Sequence, residues 1–444
     1  MKHGLWQADW REHTTILALL LACMVLSLLT LRPHQPGGAA GGRRLASALL
    51  AEAPSGAAVL IVVRPTQEDA AFALALRQTL EARGGRVVGV VQGQPRDARQ
   101  ALVDAVARGE AIQYVACPAA VAAWGVWHDL QALGPPLKKL QLRVPPPYWW
   151  PTFLQLENLL NIANQIVIIA VIAIGMTLVI IGGGIDLSVG SLVAVAAVLT
   201  ARLLRDLAGG VEASVAGTCL CCGLAVAACT LLGAVNGLLV AWLRIPPFLV
   251  TLGMMSIGSG MAFMVSRGET ISAVPAAIRW LMHGQLVPGL PNGVLGMLLL
   301  YGLGHLLLAR TVLGRHLYAV GGNRQAAWLC GVPVRRVEML SYLLNGGLAG
   351  LAGVLMVAQY RSGAPTYGAT YELQVIAAVV VGGTSLSGGQ GRMVGTLLGT
   401  LLIAVVQNGM NLMGISSDPQ KVVLGLVILA AAVIDRLKQQ QRAP

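Results

Sequence analysis

The sequence has little charge and few aromatic residues for its length. Asp, Glu, Lys and Arg make up 11% of its 444 residues, and Phe, Trp and Tyr make up 5%. A soluble domain carries about 25% charged residues, whereas 56% of this chain is hydrophobic and its mean hydropathy is +0.70. The composition therefore predicts an integral membrane protein.

Lysine is scarce as well, and its positions exclude a phosphate-binding loop of the G-x-x-x-x-G-K-[ST] type. The chain has five lysines, and none of them follows a glycine, although that loop requires a Gly-Lys pair. If ATP drives this protein, another chain binds it. We therefore expect this chain to bind no cofactor itself.

The net charge of +12 does not indicate a nucleic-acid partner. The basic residues are spread over loops and form no basic run, so orientation in the bilayer explains them better. Four of the seven cysteines lie in one apolar stretch: Cys219, Cys221, Cys222 and Cys229. No His or acid with ligand spacing accompanies them, which favours small apolar helix residues over a metal site.

Apolar runs predict ten membrane helices. They lie near residues 14–31, 160–181, 187–204, 213–241, 247–266, 292–309, 338–358, 372–383, 393–411 and 419–435. With the N-terminus inside, the short segments carry twelve Arg and Lys residues on the cytoplasmic side and six outside. The positive-inside rule then predicts a multi-pass membrane protein with both termini cytoplasmic. The glycine-rich segments could hide half-helices, so the orientation is firmer than the count.

Residues 33–147 differ from the rest and predict an inserted α/β domain outside the membrane. Apolar runs at 57–63, 86–91 and 111–116 have the character of strands, and 66–83 and 97–108 have helical spacing. Strand–helix–strand–helix–strand is typical of a small parallel sheet. The predicted domains are the N-terminus with the first helix (1–32), the insert (33–147), the helical membrane domain (148–436) and a tail (437–444).

Glycines break the apolar run between Gly175 and Ser191, which reads GMTLVIIGGGIDLSVGS. Hydrocarbon satisfies neither free backbone groups nor a carboxylate, so this segment must be packed in protein or face a watery cavity. The predicted helix breaks are Gly182, Gly183, Gly184, Gly382 and Gly383. Such breaks favour a transport pore over a simple membrane anchor.

Polar residues within or beside the predicted helices are candidates for a translocation path. They are Asp186, Ser188, Asn236, Glu372, Gln407, Asn408 and Asn411. The alternatives are a buried helix cap at Asp186 and hydrogen bonds between helices for the late polar residues. A carrier driven by protons or ions usually needs more intramembrane charges than these.

The longest inward-facing loop, 310–337, contains a predicted short helix over Gln325–Leu329, which Gly331 and Pro333 end. A small-residue helix flanked by arginines suits docking into a groove of a soluble partner. The alternative is a helix lying on anionic lipid headgroups.

The chain resembles the membrane subunit of bacterial ATP-binding-cassette importers for ribose and related monosaccharides. Four blocks carry the resemblance: GMTLVIIGGGIDLSVGSLVAV (175–195), NGLLVAWLRIPPFLVTLGMMSI (236–257), GRHLYAVGGNRQAAWLCGVPV (314–334) and YELQVIAAVVVGGTSLSGGQG (371–391). It extends over about 150–436. The resemblance implies an all-α membrane domain that works by alternating access beside a second permease subunit, within the lipid of the bacterial inner membrane. Transport involves no covalent chemistry on this chain, so no catalytic residue is expected. It also implies two cytoplasmic ATPase subunits that bind ATP-Mg and an external sugar-binding protein.

The resemblance further assigns the contact with the ATPase to the loop around 323–331. The implied coupling residues are Gly322, Asn323, Arg324, Gln325, Ala326, Ala327, Gly331, Val332 and Pro333. Trp328 and Cys330 stand where smaller or polar residues are expected. The larger departure is the insert, which weakly resembles part of a lobe of a sugar-binding protein. It would help to dock the binding protein, or it would be a plain stabilising or interaction domain.

The sequence leaves the substrate open. A nucleoside, a polyol or an autoinducer could replace the monosaccharide within the same superfamily. A secondary carrier without an ATPase, or a membrane-anchored sensor that uses the outer domain as its receptor, is a more distant alternative.

Overall fold

The computed structural model describes residues 3–52, 57–110, 112–127 and 140–440, with the backbone alone for 3–14, 431–432 and 434–440. The helices in chain order are α1 (His3–Leu29), α2 (Gly38–Glu52), α3 (Gln67–Ala82), α4 (Pro95–Ala107), α5 (Ala119–Ala122), α6 (Leu156–Ile181), α7 (Val189–Leu207), α8 (Val215–Ala241), α9 (Pro247–Ser266), α10 (Trp280–His283), α11 (Asn292–Arg310), α12 (Val312–Gly322), α13 (Arg324–Leu329), α14 (Val334–Tyr360), α15 (Tyr371–Val381), α16 (Met393–Leu412) and α17 (Ser417–Gln440). The strands are β1 (Leu31–His34), β2 (Ala58–Val63), β3 (Arg86–Gln92), β4 (Tyr114–Ala116), β5 (Gln141–Arg143) and β6 (Tyr148–Pro151).

The chain divides into two compact units. The larger comprises Met1–Thr30 and Thr152–Pro444, and the smaller comprises Leu31–Pro151. The smaller unit is a few residues wider at each end than the predicted insert, 33–147. The reason is that its first and last strands pair with each other.

In the larger unit, α6 forms the centre of the core. Every residue from Ala170 to Ile181 is buried, and α6 packs against α11, α14, α15 and α16. A helix that is apolar on all sides must be covered on all sides. The apolar run that predicts this helix therefore also explains its central position.

Helices α8 and α14 pack closely because glycines face each other. A Cβ added to Gly233 would lie 2.9 Å from the Cα of Gly346, and one added to Gly237 would lie 2.9 Å from the Cα of Met339. Small residues that let two backbones approach are typical of membrane helix pairs. Any larger side chain at Gly233 would push the two helices apart.

Six of the described helices are long and apolar enough to cross a membrane: α6, α8, α9, α11, α14 and α16. The larger unit is therefore an all-α membrane domain. Thr15–Leu29 within α1 and Tyr371–Val381 are shorter apolar stretches. Each of the ten predicted helices overlaps a helix in the structure, but the number of ten spans stays a prediction.

The smaller unit contains a four-stranded sheet in the order β3-β2-β4-β5, with every neighbouring pair parallel. All six residues of β2 are buried, because apolar clusters cover both of its faces. One cluster includes residues of α2 and α3, and the other includes residues of α4. The sequence does not predict α2 or β5.

An antiparallel two-stranded ribbon opens and closes the smaller unit. β1 pairs with β6 from Leu31 opposite Pro151 to His34 opposite Tyr148. The last four residues of the proline-rich and aromatic stretch PPPYWWP (145–151) form the strand β6. The two ends of the unit are therefore held side by side.

Candidate functional site

The first glycine break ends α6 in a closed C-terminal motif. Gly183 has a φ of +86°, which a residue with a side chain rarely adopts. Its N–H donates to Ile180 O at 2.9 Å, and the N–H of Gly184 donates to Val179 O at 3.0 Å. This Schellman pattern satisfies carbonyl groups that would otherwise be free at the helix end.

The second break has the same geometry at the end of α15. Gly383 has a φ of +91°, and its N–H donates to Val380 O at 2.8 Å. The N–H of Thr384 then donates to Val379 O at 3.2 Å. Both glycine segments are thus well-formed helix ends that turn the chain inside the helical unit.

Asp186, just after the first break, is fully buried and accepts three hydrogen bonds. Its Oδ1 accepts from Ser188 N at 2.9 Å and from Ser188 Oγ at 2.6 Å. Its Oδ2 accepts from Asn345 Nδ2 at 2.9 Å. Ser188 Oγ in turn accepts from Asn236 Nδ2 at 3.0 Å. We call Asp186, Ser188, Asn236 and Asn345 the aspartate network.

The aspartate network ties the turn after α6 to two other helices, since Asn236 lies on α8 and Asn345 on α14. Asp186 does not occupy the cap position of α7, because Ser188 directly precedes that helix and Asp186 accepts the Ser188 N–H. The alternative that Asp186 is a buried helix cap is therefore wrong in its position: Asp186 closes a turn two residues before the cap residue, Ser188. Sequence reasoning missed Asn345, a single amide within a regular helix.

Glu372 lies half-buried in the first turn of α15, against the first turn of α7. A Cβ added to Gly190 would overlap both Glu372 Oε2 and the carbonyl oxygen of Gly368. Gly190 is therefore required for this close contact between the start of α7 and the segment before α15.

The late polar residues do not gather in one place. Asn408 exchanges two hydrogen bonds with Asn158, at 2.9 and 3.0 Å, and Asn158 lies at the opposite end of α6 from the first glycine break. Asn411 is exposed and accepts from Gln420 Nε2 at 2.8 Å. Gln407 is half-buried. The paired amides of Asn158 and Asn408 match the alternative of hydrogen bonding between helices.

The predicted coupling residues lie in a compact segment around α13, residues 322–333, which we name the coupling segment after this prediction. Asn323 precedes this helix, and its side chain accepts from Ala326 N at 2.9 Å, as an N-cap does. Gly331, at a φ of +80°, follows the helix, and the N–H of Val332 donates to Ala327 O at 3.0 Å. Both ends of this six-residue helix are therefore fixed by local hydrogen bonds.

The coupling segment exposes two apolar side chains at the protein surface and lines a groove. Trp328 is 69% exposed and Leu329 is 76% exposed. Arg324 forms a two-pronged ion pair with Glu338 of α14, at 2.7 and 2.9 Å. The groove has a volume of about 960 Å³ and is lined by Trp242, Arg244, Arg324, Gln325, Trp328, Leu329, Gly331, Val332, Pro333, Val334, Arg335 and Arg336. Trp242 and Arg244 are not among the predicted coupling residues.

A family model matches residues 158–432 and is described as branched-chain amino acid transport system, permease component. The ribose import permease protein RbsC of Bacillus subtilis is 41% identical over 310 residues, which are 70% of this chain and 94% of that protein. The RbsC of Escherichia coli K12 is 41% identical over 297 residues, 65% of this chain and 88% of its own length. The L-arabinose transport system permease protein AraH of the same bacterium is 36% identical over 298 residues, 66% and 86% of the two chains.

No solved structure matches the chain. The matched region contains both glycine breaks, the aspartate network and the coupling segment, and it begins after the smaller unit ends at Pro151. The match covers more than half of the chain, and the relatives are covered over most of their length. The chain therefore belongs to this family of permease components of ATP-binding-cassette import systems.

Proposed function

We propose that this chain is the membrane subunit through which an importer carries a monosaccharide, or a similar small polyhydroxylated solute, into the cell. The relatives named for ribose and arabinose import support the substrate class. A separate ATPase drives transport by alternating access, in which helix bundles rock about a central path. The observation that carries this proposal is the coupling segment, a short helix with both ends fixed that presents Trp328 and Leu329 outward beside a groove.

The ATPase docks on the coupling segment. Arg244, Arg335 and Arg336 line the groove without an ion-pair partner among the described side chains. An apolar knob beside unpaired arginines suits a protein surface with an acidic rim. The same arginines would also attract anionic lipid, so the experiment below separates the two.

The experiment reconstitutes the protein in vesicles with its ATPase and a sugar-binding protein and measures uptake of ribose and arabinose. We expect uptake that requires ATP and stops with vanadate. Leu329→Ser should weaken copurification of the ATPase, because it removes an exposed apolar contact. Val312→Ser is the matched control, since Val312 is exposed at 55% and lies outside the groove. Uptake without any ATPase would instead indicate a secondary carrier, and equal copurification of both variants would favour the lipid contact.

Substrate choice within the superfamily is tested in the same vesicles. An excess of a nucleoside or of a polyol should leave ribose uptake unchanged if the substrate is a monosaccharide. Competition by either compound would point to the alternative substrate.

We further propose ten spans with both termini in the cytoplasm. Contacts between loops that this topology puts on one side support it. Outside, Ile271 and Gly363 exchange backbone hydrogen bonds at 2.9 and 2.8 Å. Inside, Gly389 N donates to Ile181 O at 2.8 Å.

Labelling with a membrane-impermeant maleimide tests this topology. In intact spheroplasts the reagent should label a cysteine introduced by Glu269→Cys, whereas the exposed native Cys330 should react only after lysis. A Cys219→Ser background removes the other exposed cysteine. The reverse pattern would invert the topology.

The smaller unit is proposed to lie outside the membrane and to help dock the binding protein. Its own apolar clusters and its position outside the family match support an added domain. Deleting 38–145 leaves the β1–β6 ribbon, with three residues after His34 and two before Tyr148 to close the loop. We expect a folded permease whose uptake needs more binding protein to reach half its maximum. Unchanged uptake and affinity would assign the unit a stabilising role, and ligand binding without transport would favour the sensor.

A further inference from the structure

Three backbone segments meet just before the coupling segment. They are the end of α6, the end of α12 and the loop between α15 and α16. Gly389 N donates to Ile181 O at 2.8 Å, and Tyr318 Oη donates to Gly391 O at 2.8 Å. The loop that follows the second glycine break is therefore hydrogen-bonded both to the end of α6 and to α12.

Glycine is required at this meeting point because the backbones touch without side chains between them. A Cβ added to Gly321 would overlap the carbonyl oxygen of Ile181. A Cβ added to Gly388 would lie 2.9 Å from Gly321 O and 3.0 Å from the Cα of Gly183. We call Ile181, Gly183, Gly321, Gly388 and Gly389 the glycine junction.

Helix α13 of the coupling segment has a short and stiff connection to the glycine junction. Only Asn323 separates α12 from α13, and its side chain is occupied in capping α13. α12 is a continuous helix of eleven residues, so a displacement of α13 must move the end of α12. Packed backbones do not deform continuously, so such a displacement is passed on to the neighbouring segments.

We propose that the glycine junction passes the movement of α13 to the first glycine break and to the loop after the second one at once, with Gly321 as its positioning residue. This inference rests on the proposed function. It explains why the first glycine break and the loop that follows the second one both contact the end of α12. It also predicts that a change at the junction separates ATP hydrolysis from transport without affecting how the ATPase docks, since the exposed docking side chains are elsewhere.

The test compares Gly321→Ala with Gly302→Ala in the reconstituted importer. Gly302 lies in α11, away from the predicted coupling residues, and has no atom within 4 Å of an added Cβ, so it controls for the loss of a helical glycine. We expect Gly321→Ala to copurify with the ATPase at the wild-type level and to transport roughly tenfold less solute per ATP hydrolysed. Gly302→Ala should match the wild type in both measurements.

A milder variant covers the case in which Gly321→Ala does not fold. Tyr318→Phe removes the hydrogen bond to Gly391 O and retains the ring, so we expect a smaller loss of transport per ATP with unchanged docking. If the wild type transports and both variants keep the wild-type ratio, the inference is wrong while the proposed function stands. If transport falls only in proportion to lost ATPase binding, the junction is structural and the inference is also wrong. A wild-type complex that does not transport would instead contradict the proposed function.

Discussion

Asn345 donates a hydrogen bond from Nδ2 to Asp186 Oδ2 at 2.9 Å, across 159 positions of the sequence. Both residues are fully buried, and no basic side chain in the described part of the chain forms an ion pair with Asp186. Hydrogen bonds alone therefore hold this carboxylate in place. The direction of the bond makes the pair testable by exchange.

Asn345→Asp should destabilise the protein strongly, because it places two buried carboxyl groups against each other. We expect a loss of about 3 kcal/mol or more in the free energy of unfolding, seen as a lower midpoint of thermal unfolding in detergent. The exchange Asp186→Asn with Asn345→Asp should recover most of it, since the amide introduced at position 186 would then donate to the carboxylate introduced at position 345. A single variant as stable as the wild type would contradict the network.

The pair of Asn158 and Asn408 predicts a stability effect without a transport effect. Asn408→Ala leaves Asn158 Oδ1 without its donor, which should cost about 1–3 kcal/mol. The double variant with Asn158→Ala should cost less than the sum of the two single variants. Uptake per folded molecule should stay at the wild-type level. If uptake falls while the unfolding midpoint does not, Asn408 lines the path instead.

Asn323 should act through the start of α13. Asn323→Ala removes the bond to Ala326 N and should cost about 1 kcal/mol of helix stability. Copurification of the ATPase should then weaken about fivefold, because the exposed apolar side chains are presented less often. Asn323→Asp retains the cap and serves as the control. Equal loss in both variants would point to a direct contact by the amide.

Acid should destabilise the smaller unit through Asp69. Burial would raise the pKa of Asp69, but hydrogen bonds from the side chain and backbone of Arg64 outweigh it, and the pKa lies below its usual value. Because the pKa of Asp69 is lower in the folded protein than in the unfolded chain, the ionised carboxylate stabilises the fold at any pH above the unfolded-state pKa. This stabilisation is lost as the pH falls through the lower, folded-state pKa.

Urea unfolding at pH 6 and pH 3, followed by hydrogen exchange in peptides from α3, measures this loss. Asp69→Asn should be less stable than the wild type at pH 6 and should change less between the two pH values. An equal acid effect in both proteins would assign the loss to other groups.

The sequence predicts the helices and the breaks because their signals are local. Long apolar runs mark α6 and α14, and consecutive glycines mark the ends of α6 and α15. The cap of α13 is equally local, since Asn323 and Gly331 flank the helix they close. These features depend on residues that are a few positions apart.

The remaining features depend on contacts between distant positions. Asn345 and Asn158 each look like one polar residue in a helix, and only the fold shows what they bind. Helix α2 begins Gly-Ala-Ala-Gly-Gly, a composition with low helix propensity, and it is stabilised by packing on α3. The strand β6 follows three prolines and exists through its pairing with β1.

The β1–β6 ribbon gives the smaller unit the connectivity of a hairpin tip. His34 and Tyr148 are cross-strand partners, so the segment between them begins and ends at nearly the same point of the ribbon. Any domain whose own termini are adjacent could therefore replace that segment. The end of the ribbon is consequently an insertion site for a fluorescent reporter or a foreign binding domain, and such an insertion interrupts no helix.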